Sequence, residues 1–134
     1  MTAFRLLVTG SREWTDYDRI RVEIGHVVTE RMAETGDPYP AVIVVHGAAR
    51  GADSLAARAA EEYRLQLEPH PADWNGYGRQ AGFIRNAEMV SLGADLCLAF
   101  YWQGAGNKGT EHCARQAENA GIPVRRIIGG RTDP

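Results

Sequence analysis

The sequence predicts an α/β fold: one three-layer domain over residues 1–134, with about five mainly parallel strands flanked by helices. Three observations carry that expectation. Short apolar runs alternate with longer segments of helical period. Most of the short runs end at a glycine or a polar turn. The chain has 134 residues, 44% apolar and 24% charged, which is the size and composition of one soluble domain with its own core.

Phe4–Thr9 is an apolar run ending at Gly10, too short for a helix, and reads as a buried strand. From Asp16 to Thr35, the residues Tyr17, Ile20, Ile24, Val27, Val28 and Met32 return at helical spacing, and Gly36 with Pro38 supplies the stop. Ala41–His46 is largely β-branched, as suits a strand covered on both faces, and ends at Gly47. Ala52–Arg64, rich in Ala, Leu, Glu and Arg, reads as a second helix with Asp53 near its positive end. Leu65–Glu68 is a short third strand, followed by a loop carrying Pro69, Pro71, Trp74, Asn75, Gly76 and Gly78. Helical spacing resumes over Gln80–Leu92 through Phe83, Ile84, Ala87 and Val90, and Ala94–Tyr101 makes a fourth strand. After a glycine-rich turn, Gly104–Gly109, the last helix spans Thr110–Ala120 and stops at Gly121, and Ile122–Ile128 is the final strand.

Composition narrows the function. The net charge of −2 gives no general field for holding a phosphodiester backbone, which disfavours nucleic acid as a partner. Cys97 and Cys113 lie in an apolar run and a helical stretch, without CxxC spacing or a signal peptide before them, so a reduced, cytoplasmic chain is expected. Every apolar stretch falls short of the ~20 residues a membrane-spanning helix needs. His26, His46, His70 and His112 are scattered without metal-ligand spacing, so neither a metal nor a required cofactor is expected. Homo-oligomerisation is left open.

In an open parallel sheet, ligands bind beyond the carboxyl ends of the strands. Those ends carry Gly10-Ser11-Arg12, Gly47 to Asp53, His70 to Tyr77 and Trp102 to Thr110. Two turns there suit an anion. The first, His46-Gly47-Ala48-Ala49-Arg50-Gly51-Ala52-Asp53, bends sharply into a helix; its glycines serve either phosphate contact or tight packing of strand on helix. The second, Gly104-Ala105-Gly106-Asn107-Lys108-Gly109, matches G-x-G-x-x-G between a strand and a helix. A dinucleotide fingerprint also wants an acidic residue about 20 positions on, where this chain has Arg125, Arg126 and Ile127, and no P-loop occurs. A nicotinamide dehydrogenase and a nucleoside triphosphatase are thereby disfavoured. No G-x-S-x-G elbow supports a serine hydrolase. Trp14, Trp74 and Trp102 fall on the same predicted edge, either as faces for a base or as plugs on the sheet rim.

Five motifs in order resemble one family. Gly10-Ser11-Arg12, His46 to Asp53, Pro71-Ala72-Asp73-Trp74, Ala81 to Met89 and Gly106-Asn107-Lys108-Gly109-Thr110 are together similar to the YspA-type branch of the SLOG superfamily. The resemblance implies a Rossmann-like fold that binds a nucleotide or nucleotide-derived ligand such as ADP-ribose, an NAD-related molecule or a nucleoside phosphate. The ligand-binding positions it implies are Gly10, Ser11, Arg12, Gly47, Arg50, Gly51, Asp53, Trp74, Arg85, Asn86, Gly106, Lys108, Gly109 and Thr110. A sister branch, the LOG phosphoribohydrolases, cleaves the N-glycosidic bond of nucleoside monophosphates with an arginine in R-[KN]-x-x-M and a glutamate after G-G-x-G-T. Arg85 and Met89 match the first motif, but Cys113 stands where that glutamate belongs and Glu111 lies two positions earlier. Arg85 and Glu111 are the catalytic candidates under this comparison, with Asp53 as the other carboxylate. The bland roles are a surface arginine for Arg85, a first-turn dipole partner for Glu111 and a helix cap for Asp53. Three readings follow: a nucleotide-binding sensor, which leads; a nucleotide-processing hydrolase; and a single-stranded-DNA binder like the related DprA branch.

Overall fold

The structure is a computed structural model that describes residues 3–130, so the expected domain of residues 1–134 runs past the described residues at both ends. Within these residues five strands, β1 (Phe4–Gly10), β2 (Val42–His46), β3 (Gln66–Pro69), β4 (Leu96–Trp102) and β5 (Val124–Gly129), form one sheet in the order β3-β2-β1-β4-β5. Every pairing is parallel. Among the described residues, four longer helices cover the faces: α1 (Tyr17–Thr35), α2 (Ala52–Glu62), α4 (Ala81–Ser91) and α5 (Lys108–Asn119), with a one-turn α3 at Trp74–Tyr77. The expected three-layer α/β fold is the one observed.

The period of two along each strand divides the core. Leu6 and Val8 of β1, with Leu96, Leu98 and Phe100 of β4, pack against Ile20, Ile24 and Val27 of α1 and the alanine face of α2. Leu7 and Cys97 point the other way, onto Met89 and Val90 of α4 and Cys113 and Ala117 of α5. Ala52, Ala56, Ala59 and Ala60 are fully buried, so α2 lies close on the sheet. The ends of α1 follow the sequence: Asp16 accepts from the Arg19 amide at 3.1 Å, and Gly36, at φ 73°, closes the helix through its amide on the Met32 carbonyl.

Most elements differ from expectation by a residue or two at their ends, and three differences have a clear local reason. The last helix starts at Lys108 instead of Thr110, because Asn107 adopts a left-handed φ of 52° and its side chain holds both backbone groups of Trp102. β5 starts at Val124, since Pro123 has no amide to give the ladder; its carbonyl still accepts from Cys97 at 2.8 Å. The loop before α4 contains α3, capped by the Asp73 carboxylate on the Gly76 amide, and then a tight 3-10 turn over Gly78–Gln80. Among the described residues, no helix is long and apolar enough to cross a membrane.

The chain runs β1, β2, β3 toward one edge of the sheet and then returns through β4 and β5 to the other. Strand order therefore reverses between β1 and β4. The turns after these two strands cannot cover the same space, and a crevice opens at their carboxyl ends.

Candidate functional site

A cleft of about 320 Å³ occupies that switch point. Its floor is Thr9, Gly10, Ser11 and Asp53; α4 contributes Gly82, Phe83, Arg85, Asn86 and Met89; the turn after β4 contributes Ala105 to Thr110. Trp74 and Arg79 close one side. Four cations, Arg12, Arg79, Arg85 and Lys108, face two carboxylates, Glu13 and Asp53, so the cleft is positive within a chain of net charge −2.

The two glycine turns turn out unlike each other. In the turn after β2, the Gly47 and Ala49 amides both donate to Asp53 Oδ2 at 3.2 Å. The Ala48 amide donates to His46 Nδ1 at 3.0 Å, and the Ala52 amide to the Ser11 carbonyl at 3.0 Å. Of the two roles open to this turn, tight packing of strand on helix is the one these contacts support, because each of the four N–H groups already has a partner inside the protein. Gly47 is small for another reason, because a side chain there would displace the Arg85 guanidinium, which donates to the Gly47 carbonyl. Gly51, at φ 76°, lies with its Cα against the Ser11 and Arg12 backbone; a Cβ would come within 2.5 Å of the Ser11 oxygen. Gly51 thus packs strand on helix, and Gly47 and Arg50 line an adjoining pocket shared with Arg12, Trp74 and Arg85.

The turn after β4 leaves its amides available. α5 has no side-chain cap, so the first amides of the helix, at Lys108, Gly109 and Thr110, have no intrahelical carbonyl to bind. All three residues line the cleft, and a Cβ added at Gly106 or Gly109 would meet nothing within 4 Å. A helix start with free amides, a lysine beside it and open space before it is a ready anion site.

Arg85 is held in place. Its Nη1 bonds the Gly47 carbonyl and, at 3.4 Å, the His70 carbonyl, while Nε donates to Asn86 Oδ1 at 2.9 Å. Asn86, itself buried, donates onward to the Gly109 carbonyl at 3.2 Å and so ties α4 to the start of α5. His70 is steadied in turn by Glu68, which also receives both Nη groups of Arg5 at 2.7 and 2.8 Å. The hydrogen bonds from Arg5 and then from His70 hold the Glu68 carboxyl down at about 2. Burial lowers the pKa of Arg85 and also that of His46, whose Nδ1 accepts a hydrogen bond and so belongs to the neutral ring.

Asp53 is the buried carboxylate of the cleft. It is only 5% exposed, and burial pushes its pKa up to about 6 against the pull of the two loop amides and of Arg85 and Arg12. Glu111 is elsewhere. Its Oε1 accepts from Tyr101 at 2.7 Å and Arg126 at 3.0 Å, on a separate pocket with Gln103 and Ile128. At ~100° per residue, the α5 positions that turn inward are Thr110 and Cys113, and Glu111 falls between them toward β5. The structure therefore does not bring Arg85 and Glu111 together.

Of the tryptophans, Trp14 is buried at 2% exposure against Phe100 and Trp102, as a plug on the sheet rim. Trp74 is half exposed beside the cleft, with the Arg12 guanidinium 5.4 Å from its ring centre. Ser11 is buried, and its Oγ accepts from the Glu13 amide, which shapes the turn that carries Arg12. Thr9, Glu13, Arg79 and Phe83 line the cleft without having been singled out from sequence. For Arg79, the available signal is a lone arginine in a glycine-rich loop.

The profile of the YAcAr family, described as YspA, cpYpsA-related SLOG, matches residues 4–77, which covers β1 through the Trp74 turn. The chain belongs to the YspA, cpYpsA-related SLOG family. This SLOG chain is also similar to the Gene 61 protein of Mycobacterium phage D29, at 44% identity over 125 residues, covering 90% of this chain and 93% of that protein. No solved structure matches it. Membership in the SLOG family points to nucleotide-related binding or processing, and the motifs quoted for the resemblance up to Trp74 lie inside the matched segment.

Proposed function

We propose that the protein binds a nucleotide or nucleotide-derived ligand in the switch-point cleft, as a sensor or processing domain. The observation that carries this reading is the start of α5: uncapped amides at Lys108 to Thr110 open onto a cleft that also receives Arg12 and Arg85. Phosphate is the anion that suits such a site, since it accepts from several amides at once and is charge-matched by arginine. Trp74, exposed at the rim, is a flat face for the base.

Thermal melting with a panel of adenine nucleotides, ADP-ribose and inorganic pyrophosphate tests the reading. A ligand at 100 times its dissociation constant adds ~2.7 kcal/mol and raises Tm by several degrees. Lys108→Ala is expected to weaken pyrophosphate binding about tenfold, in line with the loss of one charge-assisted contact. A flat response across the panel would count against nucleotide binding.

One observation favours a second reading, hydrolysis of the N-glycosidic bond. Asp53 shares the cleft with Arg85, so a carboxylate is available to steady positive charge on a ribose whose phosphate the arginine holds. Steady release of free base from nucleoside monophosphates, followed by chromatography and lost in Asp53→Asn, would establish this reading over simple binding.

A further inference from the structure

One oxygen in the cleft has no role in the fold. Asp53 Oδ2 accepts both loop amides, whereas Oδ1 is buried and has no hydrogen-bond partner among the described residues. Holding the loop that precedes α2 explains the first oxygen only. Nor is Asp53 half of an ion pair: Arg85 is close enough to act on its charge, yet that guanidinium gives its hydrogen bonds to Gly47, His70 and Asn86. A buried carboxylate oxygen left unpaired at the floor of a cleft is an acceptor poised for a donor that arrives with the ligand.

The chemistry of that donor follows from its neighbours. A phosphate is repelled by the carboxylate and belongs on Arg12, Arg85, Lys108 and the α5 amides. The part of a nucleotide one ester bond from the phosphate is the pentose, while the base lies at the far end, where Trp74 stands at the rim. The group that reaches Asp53 is therefore a sugar hydroxyl, which gives its proton to a carboxylate in a charge-assisted bond.

We propose that Asp53, through its free Oδ1, reads a ribose hydroxyl and makes the cleft selective for ribonucleotides over deoxyribonucleotides. This rests on the nucleotide-binding reading above and adds the sugar to it. The cost of the missing hydroxyl is high in such a site, because a deoxy analogue leaves the buried oxygen as unpaired as before.

Calorimetric titration of the wild-type protein with ADP, 2′-deoxy-ADP, 3′-deoxy-ADP and inorganic pyrophosphate is the test. ADP is expected to bind about 10- to 100-fold more tightly than at least one of the two deoxy forms, the range of a hydrogen bond to a charged group. In Asp53→Asn, whose fold is checked by circular dichroism, that ratio is expected to fall to about threefold or less, with pyrophosphate affinity retained. Equal affinity for ADP and both deoxy forms, with pyrophosphate still bound, would overturn the role of Asp53 and leave nucleotide binding standing. A ratio unchanged in Asp53→Asn would assign the selectivity to another residue. Failure of ADP and pyrophosphate alike to bind would remove the nucleotide reading itself, and this proposal with it.

Discussion

The turns after β2 and after β4 look like the same device in sequence, glycines between a strand and a helix, yet they do opposite things. The first is closed on itself: Asp53 and His46 take the amides of Gly47, Ala48 and Ala49. The second is open, because Asn107 turns its side chain back on the Trp102 backbone and leaves the helix start uncapped. Glycine spacing tells where a chain can bend sharply. Whether the bend can hold an anion depends on which side chain reaches the amides first.

Exchanging small for large at the two turns breaks this comparison most visibly. Gly51→Val is expected to cost more than about 3 kcal/mol and to leave little folded protein, since the side chain meets the Ser11 and Arg12 backbone at a φ of 76°. Chemical denaturation or the soluble yield reads it directly. A folded Gly51→Val would mean that the first turn yields more easily than its packing implies.

The next effect is on pH. Asp53 has its pKa raised from 3.8 to about 6 in the folded chain, so the native state holds the proton more tightly than the unfolded one. The associated stability is fully present below about pH 4 and is lost as pH rises through 6, up to about 3 kcal/mol by linkage. Asp53→Asn should flatten that slope, and urea denaturation at pH 4.5 and 7.5 for both proteins isolates it from other titrating groups. Equal slopes would show that the Asp53 carboxyl is solvated better than its burial indicates. The smallest effect belongs to the open turn. Gly109→Ala is expected to stabilise by at most about 1 kcal/mol through helix propensity, because its Cβ enters empty space, while weakening pyrophosphate by crowding the amides. A thermal melt with and without pyrophosphate separates the two consequences.

Much of the architecture was legible because it rests on periodicity. Alternating strands and helices, the stop at Gly36 and the crevice at the carboxyl edge all follow from spacing and turn chemistry. Arg85 and Asn86 were also legible, as neighbours in one motif. What escaped was direction. Trp14 and Trp74 look alike as loop aromatics, but one ring is buried against Phe100 and Trp102 and the other is half exposed on the rim. Glu111 and Cys113 differ by two positions on α5, and that offset sends the glutamate to Tyr101 and Arg126 on the β5 side. The first turn stays open between phosphate contact and packing in the sequence, because nothing linear shows Asp53 bending back over six residues to meet Gly47.

Trp14 has a consequence for recognition speed and entropy. Its ring sits over Gly129, where a Cβ would collide with it, and its Nε1 donates to the Asp16 carbonyl at 2.7 Å. The short segment from Ser11 to Asp16 is thereby clamped between the sheet and the first turn of α1, with the Ser11 amide on the Phe100 carbonyl at its other end. Arg12 extends from a backbone that is already in position. A ligand arriving at the cleft has only that exposed side chain to immobilise, about 0.5–1.5 kcal/mol of ordering, and no loop to fold. Capture of the proposed ligand on this side of the cleft would then need rotamer selection at Arg12 and no rearrangement of the main chain.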